Sequence, residues 1–155
     1  MKKFELTTNT KIFLGKKLFQ IKALISFGNV EAGELGGYIE KEENLDYDGN
    51  ACVSGDACVS GNAWVSGNAW VSGDACVSGD ACYTTIKGFG REYRTTTFFR
   101  CKDGKFRVRC GCFYGDLKEF RAIVKKTHGE SKKAKEYLMI ADLMELHFEE
   151  NENDK

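Results

Sequence analysis

From Gly49 to Thr84 the apolar and polar positions recur on a six-residue beat: GNACVS, GDACVS, GNAWVS, GNAWVS, GDACVS, GDACYT. Glycine at every sixth position excludes a helix, and a period of six is foreign to both helices and coiled coils. Within each copy Ala and Val stand two apart, so they share one face of a short strand. Gly-Asp or Gly-Asn then forms a corner, because these residues tolerate positive φ. Three strand-and-corner units close one turn of eighteen residues, and successive turns stack at the strand spacing of about 4.8 Å. The pattern predicts an interior of Val53, Val59, Val65, Val71 and Val77, with Ala51, Ala57, Ala63, Ala69, Ala75 and Ala81 beside them. A degenerate copy precedes these, with Leu45 and Tyr47 in the Ala and Val places. Six copies make about two turns, and the open ends need caps or neighbouring subunits.

The flanks carry other periods. Residues 1–44 read as a β cap. In it Phe4–Thr7 is extended, a hairpin turns at Gly15-Lys16-Lys17, and Phe27-Gly28-Asn29 and Gly33 through Gly37 signal loops. Residues 45–84 hold the repeat. Residues 85–115 contain a second hairpin, Thr95–Cys101 against Phe106–Cys110, with Asp103-Gly104 as its turn. Residues 116–150 predict a helical hairpin. Asp116 and Glu119 form a capping box, and Leu117, Phe120, Ile123 and Val124 share a face. His128-Gly129 closes the first helix. The second runs from about Ser131 to Phe148, with Ala134, Tyr137, Leu138, Ala141, Met144 and Phe148 inward. Residues 151–155 are expected to fray. The fold class expected is mainly β.

Charge changes this picture locally. The chain of 155 residues has 23 basic and 23 acidic side chains, so no overall charge drives it onto extended nucleic acid or anionic lipid. Yet residues 46–84 carry five acids and no base, whereas residues 85–115 carry eight bases and two acids. No apolar run approaches the roughly 18 residues of a membrane span. The start has lysines but no apolar core of a secretory signal. With seven cysteines, an odd number, reduced thiols in a cytoplasm are expected.

Two sets of side chains carry candidate chemistry. The outward position of the repeats reads Cys52, Cys58, Trp64, Trp70, Cys76, Cys82. An eighteen-residue turn stacks Cys52 on Trp70, Cys58 on Cys76 and Trp64 on Cys82. Apolar residues there point to subunit packing, or to Trp64 and Trp70 as anchors for a partner. The second set is the basic, aromatic hairpin region, in which Lys87, Arg91, Arg94, Lys102 and Lys105 interleave with Phe89, Tyr93, Phe106, Phe113 and Tyr114. Its sharpest candidates are Arg100, Arg107 and Arg109, which strand alternation could place on one side to hold phosphate, with Phe98 and Phe99 stacking a base. The plain alternative is a solvated hairpin whose aromatic side packs on the body. Cys101, Cys110 and Cys112 lack zinc-ribbon spacing, so neither metal nor cofactor is expected. His128 and His147 lie in the helical segment, and no histidine accompanies the repeats, so no catalytic residue is assigned.

The repeats resemble the hexapeptide-repeat family, whose fold is a left-handed parallel β-helix. The resemblance rests on an aliphatic residue every sixth position (Val53), a small residue two before it (Ala57 before Val59) and Asp or Asn three after it (Asp56). It implies left-handedness and, commonly, a trimer. Glu5–Thr7, Ile21–Leu24, Gly36–Glu40 and Asn44-Leu45 further resemble short repeat proteins encoded by phages and prophages. That setting implies a non-enzymatic binding protein in an infected bacterial cell. It would inhibit host antiviral defence by occluding a defence protein or by sequestering a nucleotide second messenger. A hexapeptide-repeat acyltransferase and a structural virion or assembly protein are the alternatives.

Overall fold

The computed structural model describes residues 2–79, 82–90, 95–110 and 113–149. Arg91, Tyr93, Arg94, Ala81, Cys112 and the tail 151–155 lie outside the described residues. The fold is mainly β, with two helices following the strands.

Strands β1 (Phe4–Phe13) and β2 (Lys16–Ala23) form the first hairpin, closed by Leu14 and Gly15, both at positive φ. Strand β3 (Leu35–Ile39) pairs antiparallel with β2 on one edge and parallel with β5 (Cys58–Val59) on the other. Gly36 and Gly37 therefore sit inside a strand and not in a loop. A Cβ on Gly36 would stand 2.7 Å from both Ile21 Cγ1 and the Val53 carbonyl, and one on Gly37 would stand 2.8 Å from Val53 Cγ1. Here the glycines mark a close approach of backbones, the second use of glycine in strands.

The repeats coil as their period requires. Strand β4 (Cys52–Val53) pairs parallel with β6 (Trp70–Val71), and β5 pairs parallel with β7 (Cys76–Val77), each eighteen residues on. The first turn starts earlier than the repeat does. Ile39 pairs with Val59, and Leu45 bridges to Val65, so Leu45 takes the Val place and Tyr47 lies in a two-residue expansion. Asn44 makes that entry possible. Fully buried, it accepts from the Glu40 and Lys41 amides and donates to the Gly61 and Ala63 carbonyls at 3.2 and 2.8 Å. All four hydrogen-bonding sites of its amide are used, which a buried side-chain amide requires.

Both ends of the coil are closed by the same chain. At one end Phe4 enters the core, and the buried Lys3 ammonium donates to the Ala51 carbonyl at 2.9 Å beneath the Phe27 ring. Burial holds the Lys3 pKa below its ordinary value. At the other end lies a four-stranded antiparallel sheet, β8 (Tyr83–Ile86), β9 (Thr96–Arg100), β10 (Phe106–Cys110) and β11 (Phe113–Gly115), in the order β11-β10-β9-β8. Strand β9 crosses the last turn, where the Trp70 amide donates to the Thr97 hydroxyl and the Lys102 amide to the Asp74 carbonyl. Its Phe99 joins the coil core, while Phe98 joins a second core beneath the helices α1 (Leu117–His128) and α2 (Lys132–His147). Both helices begin as the sequence indicates, with Asp116 and Ser131 accepting the amides of Glu119 and Ala134. The apolar faces match except that Ile123 is partly exposed and Ile140 is buried.

Candidate functional site

The outward column Cys52–Trp70 borders a cavity of about 100 Å³, walled by Phe4, Ile21, Phe27, Val30, Val53 and Trp70. The N-terminal sheet supplies one wall and the coil supplies the other. Asn29, Glu34 and the exposed Leu35 stand at its rim, and Leu24 and Ile25 are exposed just beyond Ala23. Burial pushes the Cys52 thiol up to about 12, so this wall is a neutral, unreactive group at physiological pH. The Trp70 indole is held from two directions. Its Nε1 donates to Ser54 Oγ at 2.8 Å, and the Arg109 guanidinium covers its ring at 3.7 Å. Such stacking of a cation on an indole contributes about 0.5–2 kcal/mol. Arg109 Nε is buried with no hydrogen-bond partner among the described residues.

The other sequence candidates fare differently. Phe98 and Phe99 are fully buried, one in each core, so neither can stack a base. Their strand is covered on both faces, and aromatic side chains packed that way hold the layers together. Arg100 does not join Arg107 and Arg109 on one side of the hairpin. It pairs with Phe106 across the strands, whereas Arg107 and Arg109 pair with Phe99 and Thr97. Directly opposite residues share a face, so Arg100 belongs with Phe98 and Val108 on the helix side. There it donates to the Phe148 and Gly104 carbonyls and ties the end of α2 to the β9–β10 turn. Arg107 donates to Asp103 Oδ2 at 2.8 Å across that turn. The Lys105 amide, which donates to the same carboxylate, and then Arg107 lower the Asp103 pKa.

Trp64 is 53% exposed and stands apart from Trp70. It edges an open groove of about 540 Å³ with Glu42, Glu43, Asp46 and Tyr47. These three carboxylates outweigh the one ammonium of the groove, Lys41, and repel phosphate, so Trp64 is poorly placed to stack a nucleotide. Cys52 and Cys58, read from the sequence as outward subunit contacts, are already buried within one chain. The His128 ring stacks on Tyr137 and His147 lies edge-on to Phe148, and neither lines the cavity. Among the described residues, no three His, Cys, Asp or Glu side chains gather as metal ligands. Among the described residues, no helix is long and apolar enough to cross a membrane.

The cavity itself escapes sequence reasoning, because Phe4, Phe27 and Leu35 approach Trp70 only through tertiary structure. One signal was present: Trp70 occupies an outward position where solvent would favour a polar residue. No protein-family model matches the sequence, and no curated protein matches it.

Proposed function

We propose that the protein is a non-enzymatic binding protein built on a short left-handed β-helix, and that it grips an apolar side chain of a protein partner in the Cys52–Trp70 cavity. One observation carries this: a small apolar cavity with an exposed apolar rim, beside an indole already fixed by Ser54 and Arg109. Pockets of this kind receive the central anchor residues of protein interfaces. The resemblance to phage-encoded repeat proteins supports a host partner in the infected cell, and a defence protein that is occluded by binding is the expected one.

A second reading, a small anionic ligand such as a nucleotide signal, is favoured by the positive charge of the Arg109 guanidinium over the Trp70 ring, which lines the cavity. Its base would have to find a platform other than Phe98 and Phe99. Affinity enrichment from infected host lysate separates the two. A protein partner retained by the wild type should be lost with Leu35→Asp and only weakened with Arg109→Ala. Retention unaffected by Leu35→Asp overturns the cavity assignment. A nucleotide-sized mass in native mass spectra, kept by Leu35→Asp and lost with Arg109→Ala, establishes the second reading instead.

A further inference from the structure

The cysteines differ in what the fold sets beside them. Six lie among the described residues, all as free thiols. Cross-strand register gives Cys52 to Trp70, Cys101 to Ala75, and Cys110 to Thr96 and Phe113. Cys82 lies outside the strands, with its Sγ 3.7 Å from Ser78 Oγ. Only Cys58 and Cys76 are given to each other, through the parallel pair β5–β7. The Cys58 amide donates to the Ala75 carbonyl and the Ser60 amide to the Val77 carbonyl, both at 2.9 Å, so the register is fixed on either side of the two thiols. Val59 and Val77, the next residues, are fully buried in the coil core. Successive side chains of a strand alternate, so Cys58 and Cys76 both leave the outer face.

Neighbouring strands stand about 4.7–4.9 Å apart. A disulfide needs Cα atoms roughly 4.4–6.8 Å apart and Cβ bonds that do not diverge. An in-register pair on one face meets both conditions. A cation is also held beside these thiols. The Asp56 carbonyl accepts from the Cys58 thiol at 3.5 Å and from the Lys102 ammonium at 2.9 Å, so one oxygen fixes both. At Cys76 burial is the larger influence and raises the thiol pKa, while the Lys102 charge lowers it. Cys76 is partly exposed and open to a small reagent, whereas Cys58 is buried behind it. Partial exposure beside a cation is the setting in which a thiol exchanges.

We infer that Cys58 and Cys76 form a thiol–disulfide exchange site, which a low-molecular-weight disulfide such as glutathione disulfide closes into a bond between successive turns of the coil. The Cys76 thiolate attacks one sulfur of the reagent, breaks its S–S bond and releases one glutathione thiolate. A mixed disulfide remains on Cys76. The Cys58 thiolate then attacks the Cys76 sulfur and releases the second glutathione thiolate. The two cysteines lose two electrons and two protons. The reagent takes up both and leaves as two glutathione thiols. In a reducing compartment the pair stays open, and in an oxidising one it closes. The site lies on the β3-β5-β7 face of the coil, apart from the β4–β6 face that walls the proposed partner cavity, so the two can fail independently.

Mass spectrometry of the folded wild type after incubation with glutathione disulfide tests it. Remaining thiols are alkylated, and the digest is mapped without reduction. The expected product is a peptide pair joined through Cys58 and Cys76, in a protein two hydrogens lighter than before. Cys82→Ala should keep that cross-link. Cys58→Ser should stop at a glutathione adduct on Cys76, and Cys76→Ser should yield no cross-link at Cys58. The wild-type map decides the matter even where a variant fails to fold. An adduct on wild-type Cys76 that never resolves overturns the inference. So does a cross-link from Cys76 to Cys82 or Cys101, or a wild type whose Cys58 and Cys76 both remain free thiols.

Discussion

The coil and the helical layer bury apolar side chains by opposite means. The coil repeats Ala and Val every six residues, so between its ends its core is a stack of small, interchangeable steps. The helical layer uses a few large rings instead, with Phe98, Phe120 and Tyr137 meeting edge to face at 6.1 and 5.7 Å. Strand β9 belongs to both, through Phe99 on one side and Phe98 on the other. A repeat can build a rigid stack cheaply in sequence terms, but it cannot end itself. Its ends need the irregular, ring-rich parts of the chain.

The largest effects should come from cutting that joint. Phe99→Ala and Phe98→Ala should each lower stability by about 3–5 kcal/mol in urea unfolding. Hydrogen exchange should then separate them, with amides of the last turn, residues 69–77, exchanging faster in the Phe99 variant and those of α1 and α2 in the Phe98 variant. Equal acceleration on both sides would mean that the two cores unfold as one unit.

Glycines sharpen the contrast on the coil side. Gly37→Ala should cost about 3 kcal/mol, since its Cβ would meet the Val53 side chain at 2.8 Å and the Ala57 carbonyl at 2.9 Å. Gly67→Ala has open space around it and pays only for its φ of 66°, about 1 kcal/mol. Comparable losses in chemical denaturation would show that backbone conformation, not the close approach of β3, dominates.

The last effect, confined to alkaline pH, is a pH dependence from the Cys52–Trp70 column. The folded Cys52 thiol keeps its proton up to about 12, whereas its ordinary value is 9.0. Between these values the unfolded chain ionises and the folded one does not, so stability falls as pH rises, by about 1.4 kcal/mol per unit. Below pH 9 this contribution is constant. Denaturation midpoints at pH 8 and pH 10 should therefore differ less in Cys52→Ala than in the wild type. An unchanged difference would place the alkaline loss in other thiols, of which Cys76 and Cys101 are also raised by burial.

Much of this protein was determined by local sequence. The eighteen-residue pairing, the Val interior, both hairpins and both helix caps follow from spacing and turn chemistry, because each depends on residues within a few positions of one another or on a strict repeat. Tertiary structure alone decided the rest. Phe98 and Phe99 look alike in the sequence as exposed stacking platforms, yet each is buried by a layer that the strand pattern does not name. Arg100 and Arg109 look equivalent, but cross-strand register sends one to the end of α2 and the other onto Trp70. Asn44 enters the sequence reading only as part of the Asn44-Leu45 resemblance, and its bonding role appears only where the Gly61 and Ala63 carbonyls arrive beside it. The cavity is the clearest case, since its walls run from Phe4 at the start of the chain to Trp70 in the fourth repeat. Periodicity specifies which way a side chain points from its own strand. What it meets there depends on which surface the rest of the chain brings over it.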